Sequence, residues 1–146
     1  MPSRDLRDCE PLLADTWKIV AAEYHQSHGE IRLLILTATY RPPAEQFALF
    51  KVGRRLQSDG DPEDPRAWGL DTDPATTIVT QLDGRRRFSK HNLRPARALD
   101  FCVLVGGKVS WDPREYSPVG RIATTHQLIW GGDWATLKDY PHVELK

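Results

Sequence analysis

A proline set just before an apolar run limits what this chain can fold into more than any other feature. In Ser89-Lys90-His91-Asn92-Leu93-Arg94-Pro95-Ala96-Arg97-Ala98-Leu99-Asp100, Pro95 rules out a regular helix. It has no N–H to donate, and its ring clashes with the preceding turn. The run that follows, Asp100-Phe101-Cys102-Val103-Leu104-Val105, reads as a strand. His91 therefore sits on a loop that feeds a strand over Ala98–Val105, and Asp100 lies near the start of that strand.

The rest of the chain falls into elements around this pair. Leu13, Trp17, Val20 and Tyr24 recur at steps of three and four, which predicts a helix from near Glu10 to just before Gly29. Pro11 fits its first turn, and Gly29 can take the left-handed conformation that closes helices. His25 and His28 fall in its polar end and read as surface residues. Ile31–Thr39 reads as a buried strand, and Tyr40-Arg41-Pro42-Pro43 breaks it, so that Arg41 stands where a strand runs into a loop. Helical spacing resumes over Ala44–Gln57. Residues 58–76, rich in proline and aspartate, read as a loop without a calcium-binding pattern. A short strand is expected at Thr77-Ile78-Val79-Thr80. Gly106-Gly107 turns the chain into a hairpin strand at Val109-Ser110-Trp111, a helix is expected over Pro118–Ile129 with His126 inside it, and His142–Leu145 reads as a last strand. The glycines of Trp130-Gly131-Gly132-Asp133-Trp134 allow close backbone approach.

With 146 residues the chain fits one domain, 1–146, and can bury roughly two-thirds of its unfolded surface. Twenty basic and 20 acidic side chains cancel, so net charge gives no reason to expect nucleic acid or an anionic membrane as partner. Arg85-Arg86-Arg87 reads as a solvated loop. No apolar leader follows Met1, and the apolar runs are far shorter than the ~20 residues of a membrane span. The expectation is a protein made in the cytoplasm, without signal peptide or membrane insertion, and monomeric. Cys9 and Cys102 are too few for a disulfide framework and read as reduced packing residues.

His91 and Asp100 acquire a third companion in Asp139-Tyr140-Pro141-His142. Two imidazoles and one carboxylate can hold zinc through three ligands and leave a fourth position open. An acid three residues before the last histidine can then take a proton from a water placed there. A second reading stands beside it: a His–Asp hydrogen bond and an exposed histidine in the tail. The helical His-Glu-x-x-His signature is absent, and Pro141 speaks against a helix through Asp139–His142.

The pieces Ser89-Lys90-His91, Ala98-Leu99-Asp100 and Asp139-Tyr140-Pro141-His142 follow a pattern of Ser-x-His, Ala-x-Asp and acid-x-x-His. With Ser3-Arg4-Asp5-Leu6, Thr39-Tyr40-Arg41-Pro42-Pro43-Ala44-Glu45-Gln46, Gly53-Arg54 and Trp130-Gly131-Gly132-Asp133-Trp134, the chain resembles the zinc peptidases of the D-Ala-D-Ala carboxypeptidase and L-alanyl-D-glutamate endopeptidase family, the compact bacteriophage endolysins in particular. Two features depart from the common pattern: His91 and Asp100 stand further apart, with the extra residues in the loop around Asn92–Pro95, and Pro42-Pro43 follows Arg41.

The resemblance implies an α+β fold of the Hedgehog/DD-peptidase kind, a central antiparallel sheet flanked by helices. It implies His91, Asp100 and His142 as ligands of Zn2+, Asp139 as general base and Arg41 as the cation facing the oxyanion, with Ser89 and Tyr40 near the substrate. Asp133 and Glu144 are the competing acids. The implied substrate is a peptidoglycan stem peptide, cut between L-Ala and D-Glu, or at D-Ala-D-Ala in a carboxypeptidase of the same machinery. An endolysin of this kind would collect in the host cytoplasm and reach the wall through a separate membrane lesion. A rival of another class is a wall-binding module in which zinc is only a staple; it needs a fourth protein ligand, for which His126 is the candidate.

Overall fold

The structure is a computed structural model and describes residues 2–52 and 78–146. The loop expected at 58–76, the pair Gly53-Arg54, Thr77 and the stretch up to Gln57 lie outside the described residues.

Helix α1 spans Pro11–His28 and buries Leu13, Ala14, Trp17, Val20 and Tyr24 along one face. Pro11 occupies the first turn, where its missing N–H costs no helical bond. Gly29 closes the helix with φ −79°, so the left-handed closure expected there does not occur. The place is still tight, since a Cβ on Gly29 would come 2.3 Å from the His25 carbonyl oxygen. His25 is half-buried rather than a free surface residue, and its Nε2 accepts the Leu34 N–H at 3.2 Å.

Five antiparallel strands form one sheet: β1 (Arg32–Ala38), β2 (Ala98–Val105), β3 (Lys108–Ser110), β4 (Ile129–Trp130) and β5 (His142–Glu144). The order is β1-β2-β5-β4, and β3 also pairs with β2. β2 is the centre. β1 runs along one side of it, while on the other side β5 pairs with Ala98–Asp100 and β3 with Val103–Val105. Gly106 and Gly107, at φ +58° and +81°, make the tight turn between β2 and β3, a backbone that β-carbons disfavour.

Because side chains alternate along a strand, β2 offers Leu99, Phe101 and Val103 to the core and Asp100 to the other face. Phe101 is held between the two long helices, 5.1 Å from the Trp17 ring of α1 and 5.6 Å from the Tyr116 ring of α3 (Pro113–Thr125). The core thus fills one face of the sheet and leaves the face of Asp100 for chemistry.

Several elements differ from expectation. β1 is not buried throughout: it lies at the sheet edge, and Leu33 and Ile35 are exposed while Leu34 and Leu36 pack on the core. α3 begins five residues earlier than expected, at Pro113. The Asp112 carboxylate caps it by accepting the Arg114 N–H at 2.9 Å, and Pro113 takes the first position, a stronger start than Pro118. It ends at Thr125, and Gln127, at φ 66°, turns the chain toward β4. Of the strand expected at 77–80, the described part Ile78–Thr80 pairs with no other strand among the described residues. Helix α2 (Pro43–Lys51) closes at Lys51, where Val52 turns extended with ψ 130°.

Candidate metal centre

His91 is set by short-range bonds. A single 3-10 turn, Lys90–Asn92, is closed by a capping box: the Ser89 hydroxyl accepts the His91 N–H at 3.2 Å, and the Asn92 amide oxygen accepts the Ser89 N–H at 2.9 Å. The turn is tied to the end of β1. Arg41 N–H donates to the His91 carbonyl (2.9 Å), and the Asn92 amide donates to the Arg41 carbonyl (2.8 Å). Asp100 and His142 meet through sheet register, as direct partners across β2 and β5. Residues far apart in sequence thus reach one point.

At that point Nε2 of His91 stands 3.1 Å from Oδ1 of Asp100 and 3.2 Å from Nδ1 of His142, and His142 Nδ1 stands 2.9 Å from the same oxygen. The other nitrogen of each ring is engaged. His91 Nδ1 lies 2.6 Å from the Thr39 carbonyl oxygen, which can only accept, so Nδ1 carries the hydrogen. His142 Nε2 likewise donates to the Glu144 carboxylate at 2.9 Å. In the neutral rings, therefore, the lone pairs of His91 Nε2 and His142 Nδ1 face each other and a carboxylate oxygen.

Three acceptors aimed at one point, with His91 and His142 buried, repel unless something positive sits among them. The set fits zinc. Two imidazole nitrogens and one carboxylate oxygen are a common catalytic ligand set, and ligand atoms around a tetrahedral zinc stand about 3.3 Å apart. Both rings also have the outer hydrogen bond, to a carbonyl or carboxylate, that fixes the tautomer of a metal-bound histidine.

The electrostatics carry the same demand. Burial pulls the His142 imidazolium down, but hydrogen bonds to Asp100 and Glu144 and the charges of Asp100 and Asp139 lift its pKa to about 10. Burial opposes the Asp100 carboxylate, yet the two histidines hold its pKa well below the usual value. Asp139 moves the other way: burial first, then the Asp100 charge, raise its pKa.

Arg41 reaches the second oxygen of Asp100, Nη2 to Oδ2 at 3.3 Å, and donates from Nη1 to the Gln46 amide oxygen at 2.9 Å. Gln46 is 1% exposed, and its amide nitrogen donates to the Leu82 carbonyl at 2.9 Å. A cleft of about 440 Å³ opens over the three candidate ligands, lined also by Arg41, Gln46, Ser89, Trp134, Lys138 and Asp139. The Trp134 ring lies 5.0 Å from that of His142. Asp139 is held against Gly131, N–H to carbonyl at 3.0 Å, and a Cβ on Gly131 would come 2.2 Å from the Asp139 carbonyl oxygen.

His91, Asp100, His142, Asp139 and Arg41 are therefore brought together, and Ser89 lines the same cleft, with its hydroxyl engaged in the cap of the His91 turn. Tyr40 stands apart: its ring packs on the core beneath the Arg94 guanidinium, 4.1 Å away. Asp133 points to Arg121 at 3.4 Å and does not line the cleft. Glu144 lies behind His142, and Lys90 pairs with it at 3.0 Å. His126 is bonded to Glu23 at 2.8 Å and does not join the candidate ligand group. Gln46 and Lys90 lie within the sequence motifs, but no spacing assigns them a task, because their partners lie far along the chain.

Residues 83–145 match the family model described as D-alanyl-D-alanine carboxypeptidase, and His91, Asp100, Asp139 and His142 all fall within that span. This segment is similar to that peptidase family. Arg41 and Gln46 lie ahead of the matched span. Over 122 residues the chain is 28% identical to the peptidoglycan L-alanyl-D-glutamate endopeptidase CwlK of Bacillus subtilis (strain 168), covering 77% of this chain and 60% of that protein. The chain thus spans about three-fifths of the length of this curated relative. The crystal structure of Serratia marcescens L-Ala D-Glu endopeptidase ChiX superposes with a TM-score of 0.60 at 24% identity, over 100% of this chain and 89% of that one. The α+β fold with its antiparallel sheet is common to both.

Proposed function

We propose that this chain is a zinc-dependent peptidoglycan peptidase, a monomeric phage endolysin that hydrolyses the stem-peptide bond between L-Ala and D-Glu. The observation that carries the reading is the convergence of His91 Nε2, His142 Nδ1 and Asp100 Oδ1 on one point of an open cleft. The similarity to CwlK supports the choice of bond, and the resemblance to compact phage enzymes supports the role in lysis. Among the described residues, no helix is long and apolar enough to cross a membrane.

Bound by these three residues, zinc would polarise the scissile carbonyl and acidify a water. Asp139 would take the proton of the attacking water. Its pKa, raised by burial and by the Asp100 charge, makes it a better base than an exposed aspartate. As the C–N bond breaks, Asp139 returns that proton to the leaving amine. Arg41, steadied by Asp100 and Gln46, offers a fixed positive fork to the oxygen on which charge develops. Ser89 borders the cleft as a substrate contact; Tyr40, facing elsewhere, takes no part.

The family model's description favours a second reading, a D-Ala-D-Ala carboxypeptidase. Among the described residues the staple reading finds no fourth ligand, since His126 is engaged with Glu23 and does not join the group. Digesting purified peptidoglycan and identifying the new termini by mass spectrometry separates the two peptidases. New D-Glu amino termini are expected; release of free D-Ala alone would assign the carboxypeptidase, and an undigested wall would contradict both.

A further inference from the structure

We propose that Glu144 and Lys90 form a positioning pair that holds His142 in the orientation and tautomer needed to bind the metal. The inference rests on the zinc reading above and extends it to two residues outside the ligand set.

The two histidines are supported differently. His91 leans on a neutral acceptor, the Thr39 carbonyl, whereas His142 leans on a carboxylate, Glu144 Oε2 at 2.9 Å. A carboxylate behind an imidazole fixes which nitrogen carries the hydrogen and makes the other a stronger donor to a metal. It also adds a negative charge that must itself be held. Lys90 does this from the turn beside His91: its ammonium lies 3.0 Å from Glu144 Oε1 and also donates to the Leu145 carbonyl. Each oxygen of Glu144 thus has its own partner, one imidazole and one ammonium. The carboxylate cannot rotate away from His142 without giving up Lys90.

The pair also joins the two structural units that carry the ligands. Lys90 belongs to the 3-10 turn that bears His91, and Glu144 to the strand that bears His142. Their contact fixes the turn against β5, and so the distance between the rings. Neither side chain lines the cleft, so both act through His142 and not on substrate.

The test is zinc affinity, measured on the full chain by competition with a chromophoric chelator, with circular dichroism to confirm folding. Glu144→Ala should weaken zinc binding by about 10- to 100-fold, the usual cost of losing such an outer partner. Glu144→Gln, whose amide oxygen still accepts from Nε2, should recover much of that loss. Lys90→Met, which replaces no residue of β5, should weaken binding by a smaller factor and keeps the test decisive should Glu144→Ala not fold. Parent affinity in folded Glu144→Ala, or in Lys90→Met if the first does not fold, would overturn the pairing. Failure of the zinc reading itself looks different, since the parent protein would then bind no stoichiometric zinc.

Discussion

His91 and His142 meet through unlike ring nitrogens: Nε2 of the first stands 3.2 Å from Nδ1 of the second, with one Asp100 oxygen beside both. The difference follows from where each ring is anchored. His91 comes from a turn and is braced through Nδ1 by the end of β1. His142 comes from β5 beside Asp100, and the near nitrogen of its ring reaches the shared point while the far one meets Glu144. Rotation of either ring would break its brace.

The proposed base, Asp139, is separable from the proposed ligands. Asp139→Asn keeps the shape of the side chain and its hydrogen bonding but removes the proton acceptor. The variant should fold, hold zinc as the parent does and lose about 10²–10⁴-fold in wall-digesting rate. Asp133→Asn, altering a residue that points to Arg121, should keep nearly full rate. Zinc loss in Asp139→Asn would make Asp139 a ligand, and activity lost in Asp133→Asn instead would move the base to that residue.

Arg41 gives a second prediction, tied to its guanidinium fork. One arm bonds Gln46 and the other Asp100, and an ammonium cannot span both. Arg41→Lys should fold and keep zinc but turn over at least about tenfold more slowly. Gln46→Leu should lower kcat in the same direction by freeing the arginine. Parent rates in Arg41→Lys would leave the arginine a structural part only.

Gly131 tests how the proposed base is placed. Its carbonyl accepts the Asp139 N–H, and a β-carbon there would meet the Asp139 carbonyl at 2.2 Å and its Cβ at 3.0 Å. Gly131→Ala should therefore push Asp139 aside, at a cost of about 1–3 kcal/mol of stability. Activity should fall while zinc is retained. A variant of parent stability and rate would show that the loop yields easily.

An ion pair between β1 and α3 gives the pH prediction. Arg32 Nε lies 2.7 Å from Glu115, and this bond holds the Glu115 carboxyl below its ordinary value of 4.5. A group whose folded pKa is depressed stabilises the fold above the unfolded value and loses that contribution as pH falls through the folded one. Glu115→Gln should thus cost about 0.5–1 kcal/mol near neutrality. In urea unfolding the gap between parent and variant should narrow steadily below pH 4.5. A gap that persists undiminished in acid would contradict the assignment.

The centre of the fold was legible because its signals are local. Pro95 and the apolar run after it define β2, and α1 declares itself by the spacing of Leu13, Trp17, Val20 and Tyr24. Gly106-Gly107 likewise marks its own turn. The three candidate ligands could be picked out by chemistry and resemblance, but their meeting depends on the pairing of Asp100 with His142, which no spacing displays. Leu33 and Ile35 look buried in sequence, since an apolar run in an edge strand reads like one in a central strand. The start of α3 was hidden by Pro118, although Asp112-Pro113 carries the better cap. Gln46 and Lys90 stayed silent because their tasks arise only when distant segments, at Leu82 and Glu144, fold against them.

On the zinc reading, hydrolysis depends on a metal held by the three converging acceptor atoms. Metal analysis of the dialysed protein, read together with wall digestion in the same samples, tests it most directly. The parent should carry close to one zinc per chain, lose digestion when a chelator removes it and regain digestion when zinc is returned. His91→Ala and His142→Ala should lack both metal and activity. Full digestion by metal-free protein, or unchanged zinc in both histidine variants, would contradict the account.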